Sequence, residues 1–488
     1  MLDILKASLS LYLPEILTVV LMCLLLITEA MYKEEGTSRF RTYLMAVVGL
    51  IIIGISLIYN LNGVKGPAFY NAVVVDSFST LFKLIMVAGT IGAVVLAYTS
   101  RDIYQNLKSE FVILAVGTLV GGMLLASSNN LLTVYLGIET LSILSYALTS
   151  LKKEDATSTE AGMKYALYGG LTAGVMLFGM SHIYGILGTI QFGEMVVKMN
   201  GLEGVDQLFL MGSFLMFFAG IGYKISAFPF HMWSPDVYQG APIPVTAFFS
   251  IVPKMAGIAV LLRVSHVFFA AQSTMSVAWI GLLHVVAALT MTVGNVSAIG
   301  QDSVKRMLAF SSIGHIGMII AGVVVLDDVG TRAILYYSMA YLFMTLVAFW
   351  ITSVLNDTYG TDSMAVFRGL IGRHPLMAVT MSIVLFSLAG MPPFSGFVAK
   401  FNILSVIIEK KYYGLAFIAA LNSVVGLYYY MKLIREMVFA KAESSNAVVG
   451  FDVKTQVIVA ALTVPVVFMG IFWEGLMALS GGAKILIQ

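Results

Sequence analysis

The sequence predicts an all-α membrane protein of about fourteen spanning helices, two of them broken, and three observations predict it. Of its 488 residues 59% are hydrophobic and only 11% are charged, where a soluble domain carries roughly 25% charged residues. Mean hydropathy is +0.92, so the apolar surplus exceeds what one core could use, and the natural solvent is lipid. The surplus is arranged in runs of about 20 residues, the length a helix needs to cross hydrocarbon. Net charge is only +2, which supplies no basic face for nucleic acid. Cys23 is the single cysteine; it excludes a disulfide framework, a cysteine-rich zinc site and an iron–sulfur cluster on this chain.

The expected spans are 11–31, 43–61, 78–98, 110–126, 131–151, 161–188, 207–226, 244–271, 275–299, 307–326, 332–355, 376–408, 412–439 and 455–478. The first reads as a spanning helix rather than a secretory signal, because it is long and lacks a small-residue cleavage site before Lys33. The polar stretches 189–206 and 356–375 are expected to be ordinary loops. Lysines and arginines in the loops set orientation. Fourteen follow odd-numbered spans, among them Lys33, Arg101, Lys152 and Lys305, against seven on the other side. Both termini are therefore expected away from the cytoplasm, and an even span count agrees with their sharing a side.

Two distant segments look alike. Residues 222–240 read GYKISAFPFHMWSPDVYQG and residues 388–401 read LAGMPPFSGFVAKF. Each is broken by prolines (Pro229 and Pro235; Pro392 and Pro393) and carries one lysine beside the break, Lys224 or Lys400. Interrupted helices in corresponding positions of two halves point to an ion site in a transporter. The breaks fall in the seventh and twelfth spans, and an odd offset of five makes two such units run oppositely through the membrane. That is the arithmetic of an inverted repeat.

Seven cations fall inside spans: Lys83, Lys164, Lys224, Lys254, Arg263, Lys400 and Lys432. Each one near a helix centre costs about 2.5–3.5 kcal/mol on insertion. Lys83, Arg263 and Lys432 lie within about two turns of a helix end, where snorkelling to headgroups accounts for them; replacing Lys83 by alanine is expected to change little. Lys254 follows Pro253 in an apolar run, and the proline frees the Phe249 carbonyl to bind water. Lys224 precedes a double break, and Lys400 sits in an otherwise apolar half-helix. Glu139, near the middle of the fifth span, is the matching acid; buried, it must pair, take up a proton or reach water. His231 lies in the seventh-span break and favours function. Lys164, His284 and His315 are left open by the residues alone.

Lysine suits proton transfer for a reason of magnitude. Burial weakens its hold on a proton and a nearby carboxylate restores it. A thousandfold swing in affinity is about 4 kcal/mol, much the same as moving one charge against about 180 mV. Shifting a glutamate relative to one lysine thus supplies the energy scale of one pumping step.

The run GYKISAFPFHMWSPDVYQGAPIPVTAFFSIVPKMAG resembles the most diagnostic stretch of subunit N of proton-pumping NADH:quinone oxidoreductase, respiratory complex I. YLPEILTV, YLGIETLSILSYAL, SVKRMLAFSSIGHIGM and LAGMPPFSGFVAKF resemble it too, in order, so the likeness covers nearly the whole chain. Sister subunits and Mrp-type cation/proton antiporters share the lysine beside a broken helix; Lys400 and the lack of a long lateral helix after the last span favour subunit N. The resemblance implies a proton relay of Glu139, Lys164, Lys224, Lys254 and Lys400, with Glu139 tuning Lys224, Lys254 central and Lys400 on the exit side. His315 and Lys305 are weaker carry-overs on a secondary polar path with His231. It implies three N-terminal helices (1–109), five-helix repeats at 110–271 (spans 4–8) and 272–440 (spans 9–13), and a C-terminal helix (441–488). It further implies no cofactor or metal on this chain, with FMN, iron–sulfur clusters and quinone on other subunits. The implied partners are other membrane-arm subunits, including sister antiporter-like and small membrane subunits, and lipids. The implied location is the bacterial inner membrane. The competing reading is a subunit of an Mrp-type multisubunit cation/proton antiporter without a redox partner.

Overall fold

Apolar runs of this length satisfy their backbone groups in lipid only as helices, and helices are what form. The computed structural model describes residues 2–31, 36–271, 274–325, 327–441, 452–480 and 482–486. Lys33, used for orientation, and residues 272 and 273, at the expected boundary between repeats, lie outside them.

The chain opens with α1 (Leu2–Leu11), α2 (Leu13–Met31) and α3 (Gly36–Leu61), followed by a hairpin of β1 (Gly66–Ala68) and β2 (Val73–Val75) and then α4 (Ser77–Thr99). Next come α5 (Lys108–Ser127), α6 (Leu131–Thr149), α7 (Ala156–Leu187), α8 (Phe192–Met199), α9 (Gly204–Ile225), α10 (Trp233–Gly240) and α11 (Ile243–Ala270). They are followed by α12 (Thr274–Ile299), α13 (Val304–Val323), α14 (Asp328–Tyr359), the single turns α15 (Met364–Phe367) and α16 (Leu370–Arg373), α17 (Pro375–Ala389), α18 (Ser395–Glu409) and α19 (Tyr413–Val438). The chain closes with α20 (Val453–Ile471) and α21 (Trp473–Ser480).

Among the described residues thirteen helices are long and apolar enough to cross a membrane. The expected twelfth span is divided between α17 and α18, and with that pair every expected span finds its helix in order. The two stretches expected to be ordinary loops hold short helices instead. In α8 the buried side chains Phe192, Met195 and Met199 recur at helical spacing, a signal too brief to stand out beside 20-residue runs.

The order of elements from α5 to α11 recurs from α12 to α19, with the two single turns α15 and α16 in the place of α8. The turn before α6 pairs with the turn before α8: Leu131 N donates to Ile190 O at 3.0 Å, and Phe192 N to Asn129 O at 3.2 Å. The turn before α13 pairs with that before α15 in the same way, Val304 N to Asp362 O at 2.9 Å and Met364 N to Asp302 O at 2.8 Å. Both α7 and α14 are 32 residues long and stop at a left-handed glycine, Gly188 (φ 64°) and Gly360 (φ 74°). Both broken helices pause on a left-handed residue, Ser226 after α9 and Gly390 after α17.

The apolar stretch of α11 is buried over its whole length, while α2, α3 and α20 bury only about a quarter of theirs and form the rim. Close approach of helices in lipid needs small residues, because lipid tails are as apolar as leucine and only packing favours contact. At the α12–α13 crossing, a Cβ on Gly294 would stand 2.5 Å from Gly314 N. Gly294→Leu should therefore force these helices apart, costing at least about 1–3 kcal/mol, and lower the yield and melting temperature of the protein in detergent. Gly281→Ala, on the same helix with open space around it, should leave both unchanged.

Candidate functional site

The break after α9 is held open by aromatic side chains. Trp233 Nε1 donates to Tyr223 O at 2.9 Å, Tyr223 Oη to Tyr165 O at 2.6 Å, and the Tyr165 ring stacks on Trp233 at 4.3 Å. Lys224, in the last turn of α9 and 1% exposed, reaches into this group. Its Nζ donates to Tyr165 Oη at 3.4 Å and lies 5.4 Å from the ring centroid. Glu139 is half-buried in the middle of α6 and near enough to Lys224 for their charges to interact, without forming a direct ion pair. His231 is buried in the same break with its ring against Phe228. The hydroxyls of Ser226 and Ser234 and His231 Nδ1 are buried there without a protein partner.

Lys254 sits at the centre of the bundle, fully buried. The helix continues through Pro253, and the lysine meets not the carbonyl freed by that proline but the neighbouring helices. Its Nζ donates to Ser312 Oγ of α13 at 2.7 Å, which also accepts from Tyr341 Oη of α14 at 2.7 Å. The ammonium lies 5.3 Å from the Tyr238 ring centroid. Tyr238 packs beside Trp233, so an aromatic file of Tyr165, Trp233 and Tyr238 lies between Lys224 and Lys254.

One turn along α13 from Ser312 is His315, 5% exposed. Its Nδ1 pairs with Tyr337 Oη at 2.6 Å and its Nε2 with Tyr430 Oη at 3.1 Å, and Tyr430 shares a bond with Ser311 Oγ at 2.5 Å. Across a cavity of about 10 Å³, lined by His315, Tyr337, Tyr430 and Asn295 among others, stands Lys400; such a space holds about one water. Lys400 Nζ donates to Ala389 O at 2.9 Å. That carbonyl ends α17 and is one of the acceptors a helix terminus leaves without an internal partner. The helix break thus makes the lysine's acceptor.

Lys164 and Lys305 lie apart from this line, around α10. Lys164 is over a third exposed and bonds Glu160 at 2.8 Å and Asp236 at 3.2 Å; Asp236 also takes Arg306 at 2.9 Å. Lys305 donates to the carbonyls of Gln239 at 3.0 Å and Ala241 at 2.8 Å, closing the C-terminus of α10. Nearby Asp102 accepts from Lys152 at 2.5 Å and from Ile243 N at the start of α11 at 2.7 Å. Burial opposes its charge, yet Lys305, Lys152 and that N–H hold its pKa below the usual carboxylate value.

Two expectations are corrected. Lys83 and Arg263 do not snorkel: they are 1% and 0% exposed. Lys83 pairs with Glu15 of α2, and Arg263 pairs through Nη2 with both oxygens of Asp76 at 3.2 and 3.1 Å. Position near a helix end made headgroups the obvious destination, whereas the counter-charges come from segments far off in the chain. Lys432 is the one of the three at a partly exposed position. The residues that sequence reasoning missed are Tyr165, Tyr238, Ser312, Tyr337, Tyr341 and Tyr430. Their signal was hydroxyls inside apolar runs, as in Tyr336–Tyr337 and Tyr428–Tyr430.

Two predictions follow from these pairs. Lys83→Ala strands a buried carboxylate, a loss of about 3–5 kcal/mol, so the amount of folded subunit in the membrane should drop sharply rather than stay level. The charge of Asp102 stabilises the fold fully above the unfolded carboxylate pKa of about 3.9, and that contribution fades as pH falls through its lowered native value. The melting temperature of Asp102→Asn should lie below that of the parent at pH 7, with the gap closing under acid.

Residues 128–426 match the family described as NADH:quinone oxidoreductase/Mrp antiporter, transmembrane. The chain is 38% identical over 422 residues to NADH-quinone oxidoreductase subunit N of Anaeromyxobacter sp. (strain Fw109-5), covering 82% of each. It is 35% identical to the subunit N of Chlorobium chlorochromatii (strain CaD3), over 97% of this chain and 94% of that one. A chain of respiratory complex I from Thermus thermophilus superposes with a TM-score of 0.80 at 26% identity, covering 96% of this chain and all of that one. A chain of the Mrp complex from Dietzia sp. DQ12-45-1b shares the fold, with a TM-score of 0.82 at 20% identity over 96% and 97% of the two chains. This multi-pass membrane protein belongs to the NADH:quinone oxidoreductase/Mrp antiporter family of transmembrane subunits, among relatives that carry the name NADH-quinone oxidoreductase subunit N.

Proposed function

We propose that the chain is an antiporter-like subunit of the membrane arm of an NADH:quinone oxidoreductase and moves protons through its buried lysines, driven by quinone reduction on other subunits. The observation that carries this reading is the interior line of Lys224, Lys254 and Lys400, two of them at helix breaks and all bonded to neutral hydroxyl or carbonyl oxygens. An ammonium with neutral partners is held less tightly in its charged form than one bound to a carboxylate, so it can give up its proton. Glu139 is the movable counter-charge for Lys224. Tyr341, Ser312, His315 and Tyr430 supply hydroxyl and imidazole groups that can pass a proton between Lys254 and the cavity beside Lys400. Lys164 and Lys305 act through α10, which they tie to α7 and α13; His231 lines the break beside Lys224.

The matching elements and turn pairings support reading residues 110–271 and 272–440 as inverted repeats between an N-terminal three-helix unit and a C-terminal helix. On this reading flavin, iron–sulfur clusters and quinone sit on partner subunits. Those partners include sister antiporter-like subunits in a bacterial inner membrane, and both termini of this chain face away from the cytoplasm. Lys224→Ala or Glu139→Ala should lower proton pumping and coupled quinone reduction in vesicles that retain a full complement of assembled complex; normal pumping would remove that residue from the mechanism. Copurification of the tagged chain with flavin and iron–sulfur subunits supports the redox-driven reading. Copurification with antiporter subunits alone would replace it by the Mrp-type one.

A further inference from the structure

Beyond the relay, α4 carries two buried acid–base pairs that differ in kind. The Asp76 carboxylate accepts from Ser79 N at 2.8 Å, from Arg263 Nη2 through both oxygens and from Leu486 N at 3.1 Å. Arg263 also donates to Ala126 O and to Leu486 O, each at 3.0 Å. Its guanidinium does not release a proton in proteins. This pair is a bolt joining α4, α5, α11 and the C-terminal segment.

Roughly 10 Å along α4, at 1.5 Å per residue, the second pair is built differently. Lys83 meets Glu15, which is 4% exposed, and among the described residues no other residue donates to that carboxylate. The ammonium lies 5.6 Å from the Tyr12 ring centroid. Opposite, α5 presents Met123, which accepts from Thr18 Oγ1 of α2, and Ser127; neither is charged. Lys83 is the one charged residue of α4, and the next charges along it are those of the Asp76–Arg263 pair at its N-terminus. A buried ion pair offsets its desolvation only when further hydrogen bonds satisfy the remaining lone pairs, and Glu15 has none from its neighbours. Unlike arginine, lysine deprotonates readily when buried.

We infer that Glu15 and Lys83 form a proton-holding site in the N-terminal three-helix unit, separate from the line through Lys224, Lys254 and Lys400. The proton moves from Lys83 Nζ to a Glu15 oxygen, turning the ion pair into a neutral amine and carboxylic acid with no change in net charge. A second proton taken up by the amine leaves the site singly positive, and release of the proton held on Glu15 restores the ion pair. The ligand is the proton, and the inference rests on the function proposed above.

The test uses vesicles carrying the whole complex, with protons pumped per electron as the readout and assembly measured in parallel. Glu15→Gln combined with Lys83→Met removes both charges at similar volume and avoids a stranded ion. The expected result is an assembled complex that transfers electrons when uncoupled but pumps fewer protons per electron. Lys224→Ala is measured beside it. A parental ratio in the double variant while Lys224→Ala falls overturns this inference alone; parental ratios in both overturn the proposed function with it. Should the double variant fail to assemble, Glu15→Lys combined with Lys83→Glu is made. Assembly of that swapped pair, or failure of both, assigns the pair to folding and overturns the inference.

Discussion

Inside a bilayer a polar group can borrow little from solvent, so hydroxyls, amines and freed carbonyls are answered chiefly by other parts of the chain. This constraint governs the ends of the helices as much as their interiors. Asp76 and Asn130 close α4 and α6 with reciprocal side-chain bonds. Lys305 closes α10, and Lys400 takes the last carbonyl of α17. A broken helix in water would hydrate its loose groups. Here the break creates acceptors at depth, and cations are drawn to them.

The same constraint sorts the interior cations into two chemical groups. Arg263 and Lys83 meet carboxylates; Lys224, Lys254 and Lys400 meet neutral oxygens. In the first group the Arg263 charge is permanent while Lys83 can pass its proton to Glu15, and charge on the second depends on something that can move, such as Glu139. Tyrosine is well matched to the second group, since its hydroxyl both gives and accepts while its ring keeps water out.

Fold class, span order and both breaks were legible because each rests on local signals: 20 apolar residues, or prolines beside a lysine. Glu139, Lys224, Lys254 and Lys400 stood out for the same reason, a charge where hydrocarbon should be; Lys164 did not, and it lies over a third exposed beside α10. What could not be read was pairing. Glu15 and Lys83 stand 68 positions apart in sequence, and Asp76 and Arg263 are 187 apart, so neither helix carries any mark of its partner. The tyrosines of α14 and α19 were hidden differently: as half-apolar side chains they pass for core until a histidine is found between them. The short helices in the long connections were hidden by scale.

Consider finally the enclosure of α11. A helix with no lipid-facing side, carrying Lys254 and Arg263 in its interior, is a poor passenger in lipid until its housing exists. Part of that housing is α13 and α14, which are made after it, and part is the segment at Leu486, made later still. The recurring halves are therefore not separable modules in biogenesis: the first can be completed only when the second has arrived, and the Arg263 charge is fully answered only once residue 486 is in place.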